Sequence, residues 1–363
     1  MSVLDLHADL VRFPSLSYEE AEIADFVEAW ARGVGGLDVG RHDDNVWASL
    51  GEGDDLLLLC SHLDVVPPSE NHPYPPFEPT TVDGKVYGRG AVDAKASGAA
   101  MLSALASLAT SGWRPPASGR LTVALTACEE TGRGYNGMET MRAEVFGRAL
   151  PDPAAALVGE PTELRPCLAQ KGLLILEATA HGRTAHAARA HLGDNALTRA
   201  ARDLVRLDAL AFERADPLLG LPTATATVIQ GGSARNVVPD RCTFTVDVRS
   251  TPAYTHAELA ALVSDLLESE VAVYSDRIVP CATDAGARVA RAATDALGAL
   301  GLDAAPFGSP TASDWIFLAD VPAVKIGPGR SELSHTPDEH VDVDQLERAV
   351  EVYAAVARGY FRG

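Results

Sequence analysis

The sequence predicts an α/β protein with a smaller α+β domain inserted into it. Three observations carry that expectation. Three runs rich in apolar residues, Leu56–Cys60, Leu121–Cys128 and Ala154–Val158, have the length and texture of strands buried on both faces in the middle of a sheet. Segments with apolar residues at helical spacing surround them. From about residue 168 the order changes to strand, helix, strand, strand, helix over 171–181, 193–212, 222–230, 241–249 and 255–269, most of a ferredoxin-like unit. A chain of 363 residues exceeds the comfortable size of one core. The expected division is a first domain built from 1–167 and 278–363, with 168–277 inserted.

Residues 5–33 read as a helical entry and Asn45–Leu50 as a short strand. The next strand runs into Cys60-Ser61-His62-Leu63-Asp64. In an extended chain residues i and i+2 point to one side, so His62 and Asp64 share a face where the strand leaves its sheet. Open α/β sheets place their chemistry there. A carboxylate in that position can orient a metal-bound imidazole; a strand-end histidine beside a turn aspartate is the plainer reading. A Pro-rich loop follows over 65–87. Gly88-Arg89-Gly90-Ala91-Val92-Asp93-Ala94-Lys95 then leads into a small-residue helix from about 94 to 110. The glycine spacing invites a dinucleotide reading, but Asp93 occupies the third glycine position and would repel a pyrophosphate. A plain helix N-cap is its other possible role.

The strand ending at Cys128 opens into Glu129-Glu130. Adjacent residues leaving a strand point to opposite sides, so these two acids cannot share one job. Two carboxylates at the mouth of an apolar strand repel each other unless a cation sits between them. The third strand leads through Gly159 into Glu160. The inserted region carries His186 within Gly182–Ala188, Asn236 within Arg235–Pro239, and Arg249 after Asp247. Beyond it come a helix over 284–300, a strand over 323–326, the loop Gly327-Pro328-Gly329-Arg330, the run Ser334-His335-Thr336-Pro337-Asp338-Glu339, and a last helix over 343–360.

A net charge of −20 argues against nucleic acid or an anionic membrane as a partner, since both need basic surface. No apolar run approaches the ~20 residues of a membrane span. The Met1–Asp5 start lacks the basic and apolar regions of a signal peptide. The five cysteines are scattered, odd in number and free of any C-x-x-C. A reducing cytoplasm is the expected location.

Taken in order, S-H-L-D, G-R-G-A-V-D-A-K, C-E-E-T-G, G-E-P-T, the histidine of the insertion and S-H-T-P-D-E resemble the M20 family of metal-dependent amidohydrolases and peptidases. That family includes acetylornithine deacetylase, succinyl-diaminopimelate desuccinylase and aminoacylase. The resemblance implies a zinc-peptidase-like catalytic domain with a mixed central sheet flanked by helices, and a lid or dimerisation domain inserted into it. It implies two Zn²⁺, replaceable by Co²⁺, with His62 and Glu160 on one, Glu130 and His335 on the other, and Asp93 between them. Asp64 would orient His62, and Glu129 would act as general base. His186, from the inserted domain, would donate to the oxyanion, often from a second subunit of a homodimer. Arg249, Asn236 and the backbone N–H of Gly329 would hold the substrate's carboxylate and carbonyl.

The stretches Cys167–Gly172 and Arg183–Ala188 look most like deacetylases of arginine biosynthesis and related lysine-releasing hydrolases. The expected substrate is a small N-acyl amino acid, acetylornithine or acetylcitrulline. Gly308–Trp315 departs from the acetylornithine deacetylase pattern and keeps a carrier-protein-linked lysine or ornithine in contention. Succinyl-diaminopimelate is the further alternative, although no arginine plainly offers a contact for its second carboxylate. A metal-binding homologue without catalysis is the rival of another class; the extra, non-ligating acid Glu129 speaks against it.

Overall fold

The computed structural model describes residues 1–132 and 134–362. The chain forms two compact units: one built from Met1–Leu168, Thr283–Phe307 and the stretch from Ser313 onward, the other from Ala169–Ala282 with Gly308–Ala312. The second unit therefore takes in more chain than the expected 168–277, including a return segment that the sequence pattern places in the first domain.

In the first unit the strands lie side by side in the order Asp38–His42, Asn45–Leu50, Gly119–Thr126, Asp55–His62, Pro153–Val158, Ala323–Lys325. The last four run parallel and the first two antiparallel, a mixed sheet. Asp55–His62 is central, and Leu56 through Cys60 are at most 1% exposed, as a continuous apolar run with neighbours on both faces requires. Helix Lys95–Thr110 packs on this strand and on Gly119–Thr126. It also contacts helices Val3–Val11 and Val343–Tyr360, and Arg288–Ala299 packs on the latter. Alanines and a glycine let Lys95–Thr110 approach closely; Gly98 lies against Leu125.

Parallel register brings the chemistry to one edge. His62 pairs with Thr126, so the residues after Thr126 emerge beside it. Cys60 pairs with Val158, which sets Glu160 level with His62. The segment 65–87 is less of a loop than its prolines suggest: Thr80–Val82 and Lys85–Tyr87 form a hairpin, and His340–Asp342 pairs with Lys85–Tyr87. That pairing carries the 335–339 run to the Arg89 side of the site.

The second unit has a four-stranded antiparallel sheet, Thr223–Gly231, Arg241–Ser250, Gly172–His181, Glu270–Ile278, with helices Ala196–Asp208 and His256–Leu266 packed on it. Gly172–His181 alternates buried and less buried residues along its length, the period of a sheet with one covered face. Leu174, Leu176, Phe244, Val246, Leu259 and Val263 form its core. Glu270–Ile278 is a strand that the sequence pattern does not announce, and it completes the β-α-β-β-α-β order. Its apolar residues fall together over Val271–Tyr274 and are exposed or only partly buried, so it gives no clear period of two.

Candidate metal and catalytic site

At the end of the central strand His62 is 2% exposed. Its Nδ1 lies 2.9 Å from the carbonyl oxygen of Asp64. A carbonyl only accepts, so Nδ1 carries the proton and Nε2 faces the site. Nε2 is 3.2 Å from Asp93 Oδ1 and 3.8 Å from Glu160 Oε1. On the other side of Asp93, His335 Nε2 is 2.8 Å from Glu130 Oε1 and 3.6 Å from Asp93 Oδ2. One ligand atom each from His62, Asp93 and Glu130 lie within 4.8 Å of one another. Asp93 thus stands between two histidine–glutamate pairs, all within the first unit.

Asp93 does not cap its helix. The N-cap position is Ala94, no side chain caps the terminus, and the Asp93–Ala94 peptide is cis. Asp64 orients His62 chiefly through its backbone carbonyl; its carboxylate oxygen is farther from Nδ1, at 3.4 Å. That carboxylate accepts from the N–H groups of Glu129 and Glu130, at 3.0 Å each, and from Ser17 Oγ at 2.7 Å. Glu129 and Glu130 leave a turn rather than an extended strand, since Cys128 has φ +57°. Their side chains part company: Glu130 meets His335, while Glu129 is half-buried with His62, Glu160 and Asp314 as its charged neighbours.

The electrostatics are those of a site short of positive charge. Burial first, then repulsion by Glu160, Asp314 and Glu130, holds the Glu129 carboxyl well above its usual range. Glu160 is pushed up to about 8, by burial and then Asp93, and Glu130 moves the same way for the same two reasons. Burial works against a charged His62 ring, but Asp64 and Asp93 outweigh it and raise its pKa well above the usual 6.5. Several buried acids that cannot all ionise together, with two imidazoles beside them, match what a pair of divalent cations would relieve. Two nitrogen and three carboxylate donors suit the zinc class.

Two residues inside the motifs carry no role in the sequence analysis. Glu339, with a side chain 1% exposed, accepts from the N–H groups of Val92 and Asp93, each at 3.1 Å. Its other oxygen is ion-paired with the equally buried Arg89, which also donates to the His335 carbonyl at 3.3 Å. One ion pair therefore holds the backbone leading into Asp93 and the carbonyl of His335. An arginine and a glutamate 250 positions apart offer no signal beyond being charges inside otherwise apolar or ligand-bearing runs.

His186, Asn236 and Arg249 belong to the second unit. His186 is exposed, and its Nδ1 accepts from the Ala188 N–H at 3.1 Å. The Asn236 carbonyl accepts from Ala187 at 2.9 Å. Arg249 is ion-paired with Asp247 at 2.9 Å, the structural role its neighbour made available. Gly329, in the first unit with φ +85°, gives its N–H to Gln345 Oε1 at 2.7 Å; that donor is engaged within the chain.

The profile of peptidase family M20/M25/M40 matches residues 58–359. A succinyl-diaminopimelate desuccinylase of Parvibaculum lavamentivorans is 28% identical over 385 residues, spanning 99% of this chain and 96% of that one. A putative succinyl-diaminopimelate desuccinylase DapE of Mycobacterium tuberculosis is 31% identical over 361 residues, 96% of each. Among solved structures, aminopeptidase PepT from Bacillus cereus superposes with a TM-score of 0.82 at 21% identity, over 99% of this chain and 98% of that one.

Proposed function

The chain belongs to peptidase family M20/M25/M40, and from that premise we propose that it hydrolyses the amide bond of a small N-acyl amino acid at the His62–Asp93–Glu130 centre. The observation that carries this reading is the surplus acid. Five side chains suffice to hold two cations: His62 and Glu160 for one, Glu130 and His335 for the other, Asp93 between. Glu129 is left over, half-buried beside them, with its carboxyl held above the usual range by desolvation and neighbouring acids.

Bound divalent cations, Zn²⁺ in this proposal, would supply Lewis acidity toward the scissile carbonyl and a more acidic water. The rest falls to the chain. Asp64 fixes the His62 tautomer and, with its carboxylate, the backbone from which Glu129 springs. Glu129 takes a proton from the attacking water and delivers it to the departing amine nitrogen, a shuttle that suits a carboxyl held above the usual carboxylate range by desolvation and neighbouring acids. His186 is the proposed oxyanion donor, from a homodimer partner through the inserted unit, and Asn236 and Arg249 are proposed to bind the amino-acid carboxylate and carbonyl.

For the acyl group, the reading put first is acetyl, from N-acetylornithine or N-acetylcitrulline. The Arg89 guanidinium is committed to Glu339 and Arg249 is assigned to the amino-acid carboxylate, so neither is spare for the second carboxylate of a succinyl chain. Succinyl-diaminopimelate is the second reading, supported by the names of the curated relatives. A hydrolysis panel of acetylornithine, acetylcitrulline, acetyl-lysine and succinyl-diaminopimelate with added zinc separates the two. With the substrate found, Glu129→Gln is expected to keep the metal content and lose ~10²–10⁴-fold in kcat. Retained activity would remove Glu129 from the mechanism.

A further inference from the structure

The turn that carries Glu129 and Glu130 is held by side chains from elsewhere in the fold. Its four successive N–H groups each donate to a side-chain oxygen. Ala127 donates to Asn45 Oδ1 at 3.0 Å, Cys128 to Glu20 Oε1 at 2.9 Å, and Glu129 and Glu130 to the two oxygens of Asp64 at 3.0 Å each. Thr131 Oγ1 and Asn136 Nδ2 donate to the Cys128 carbonyl, at 3.2 and 3.4 Å. Such grip is needed because Cys128 sits at φ +57°, a region that a non-glycine residue keeps only when its surroundings impose it. The αL residue at the centre is what turns the chain so that the two glutamates diverge.

Glu20 is the unexpected member. It lies 108 residues away in sequence, is 1% exposed, and directly precedes helix Ala21–Gly33 without capping it. Its carboxylate reaches instead to the Cys128 N–H and accepts from the Cys128 thiol at 3.3 Å, while that sulfur accepts from the Tyr18 N–H at 3.2 Å. The side chain binds neither of the two histidines and is outside the five candidate ligands. Burying an acid to hold one N–H and a weakly donating thiol is costly unless that N–H matters.

We propose that Glu20 is a positioning residue of the hydrolytic centre: its Oε1, through the Cys128 N–H, holds the αL turn that sends Glu130 toward His335 and Glu129 away from it. This rests on the reading of Glu129 and Glu130 given above. What matters is an oxygen at the right reach, not the charge. A purely structural Glu20 would serve only to anchor its helix, and its loss would lower stability while leaving metal affinity and turnover alone.

The test uses the full chain in three forms: wild type, Glu20→Gln, which keeps an acceptor oxygen at the same reach, and Glu20→Met, which keeps the volume and removes the acceptor. Zn²⁺ is titrated into metal-stripped protein by calorimetry, which needs no substrate and so stands apart from the acyl-group assignment. kcat and KM follow on whichever of acetylornithine or succinyl-diaminopimelate the wild type cleaves. Glu20→Gln is expected to stay within about threefold of wild type in both. Glu20→Met is expected to lose ~10–100-fold in affinity for one of two zincs and in kcat, the usual scale for a group behind a metal ligand, with KM nearly unchanged. A folded Glu20→Met with wild-type zinc affinity and kcat overturns the proposal, as does a Glu20→Gln equally impaired. If Glu20→Met does not fold, Glu20→Asp, which retracts the oxygen by one methylene, takes its place: the same losses support the proposal, and wild-type zinc affinity and kcat overturn it.

Discussion

Arg89 and Glu339 show how a single pair can matter more than its place in a motif suggests. Both side chains are 1% exposed, and together they touch the backbone at Val92, Asp93 and His335. A buried ion pair adds little net stability compared with an apolar pair, because desolvation offsets the attraction. Removing one partner is different, since the other is left charged and unpaired. Arg89→Met is therefore expected to lower the unfolding free energy by ~3–5 kcal/mol in urea titrations at neutral pH. It should also weaken metal binding, because the backbone at Asp93 loses its anchor. A change below ~1 kcal/mol would mean that the pair is screened more than its burial implies.

Among the elements, legibility follows the strength of the local pattern. The three core strands declare themselves because each is an apolar run with a polar stop. Asn45–Leu50 is legible as a short strand, and Val343–Tyr360 through apolar residues at helical spacing. Glu270–Ile278 escapes because it is an edge strand whose residues alternate only loosely with burial, and the hairpin in 80–87 is hidden by prolines. The five candidate ligands can be named from the sequence through the M20-like motifs; for His62, Glu130 and Glu160 the strand ends of an α/β sheet also converge, and the register of Asp55–His62 with its two neighbours is the physical cause. What supports them is not legible. Glu20, Arg89, Asp314 and Glu339 act through contacts that close between distant parts of the chain. Asp314, for example, accepts from Thr126 Oγ1 at 3.0 Å and from Asn136 Nδ2 at 2.8 Å. No periodicity announces such a contact.

For the molecule as a whole, the acids gathered at one sheet edge make stability depend on pH in the absence of metal. The Glu160 carboxyl lies at about 8 in the folded chain, through burial and then Asp93, against 4.5 ordinarily. Between those values the folded chain holds a proton that the unfolded chain has released, so stability falls as pH rises. Glu129 and Glu130, raised mainly by burial, act in the same sense, as do His62 and His335, which hold their protons to higher pH when folded. Asp314, raised to about 6, and Glu20 and Glu339, all lifted first by burial, add to that trend. Burial works the other way on basic groups: it lowers His7 to about 4, Lys95 to about 7, and His72 and His256 below the ordinary imidazole value, so each adds stability as pH rises from its folded toward its unfolded value. The gathered acids, with Glu160 shifted across most of the interval from pH 5 to 8, are expected to dominate. The Tm of metal-stripped protein is expected to fall from pH 5 to pH 8, and saturating Zn²⁺ should abolish most of that slope; a Tm that rises over this range without metal would contradict this charge balance.

The gathering of donors around Asp93 is tested most directly by anomalous diffraction at the zinc edge from crystals grown with Zn²⁺. Two peaks are expected on either side of the Asp93 carboxylate, one bonded by His62 and Glu160 and the other by Glu130 and His335, with Glu129 bonded to neither. A lone peak away from Asp93, or Glu129 found as a ligand in place of Glu130, would contradict that arrangement.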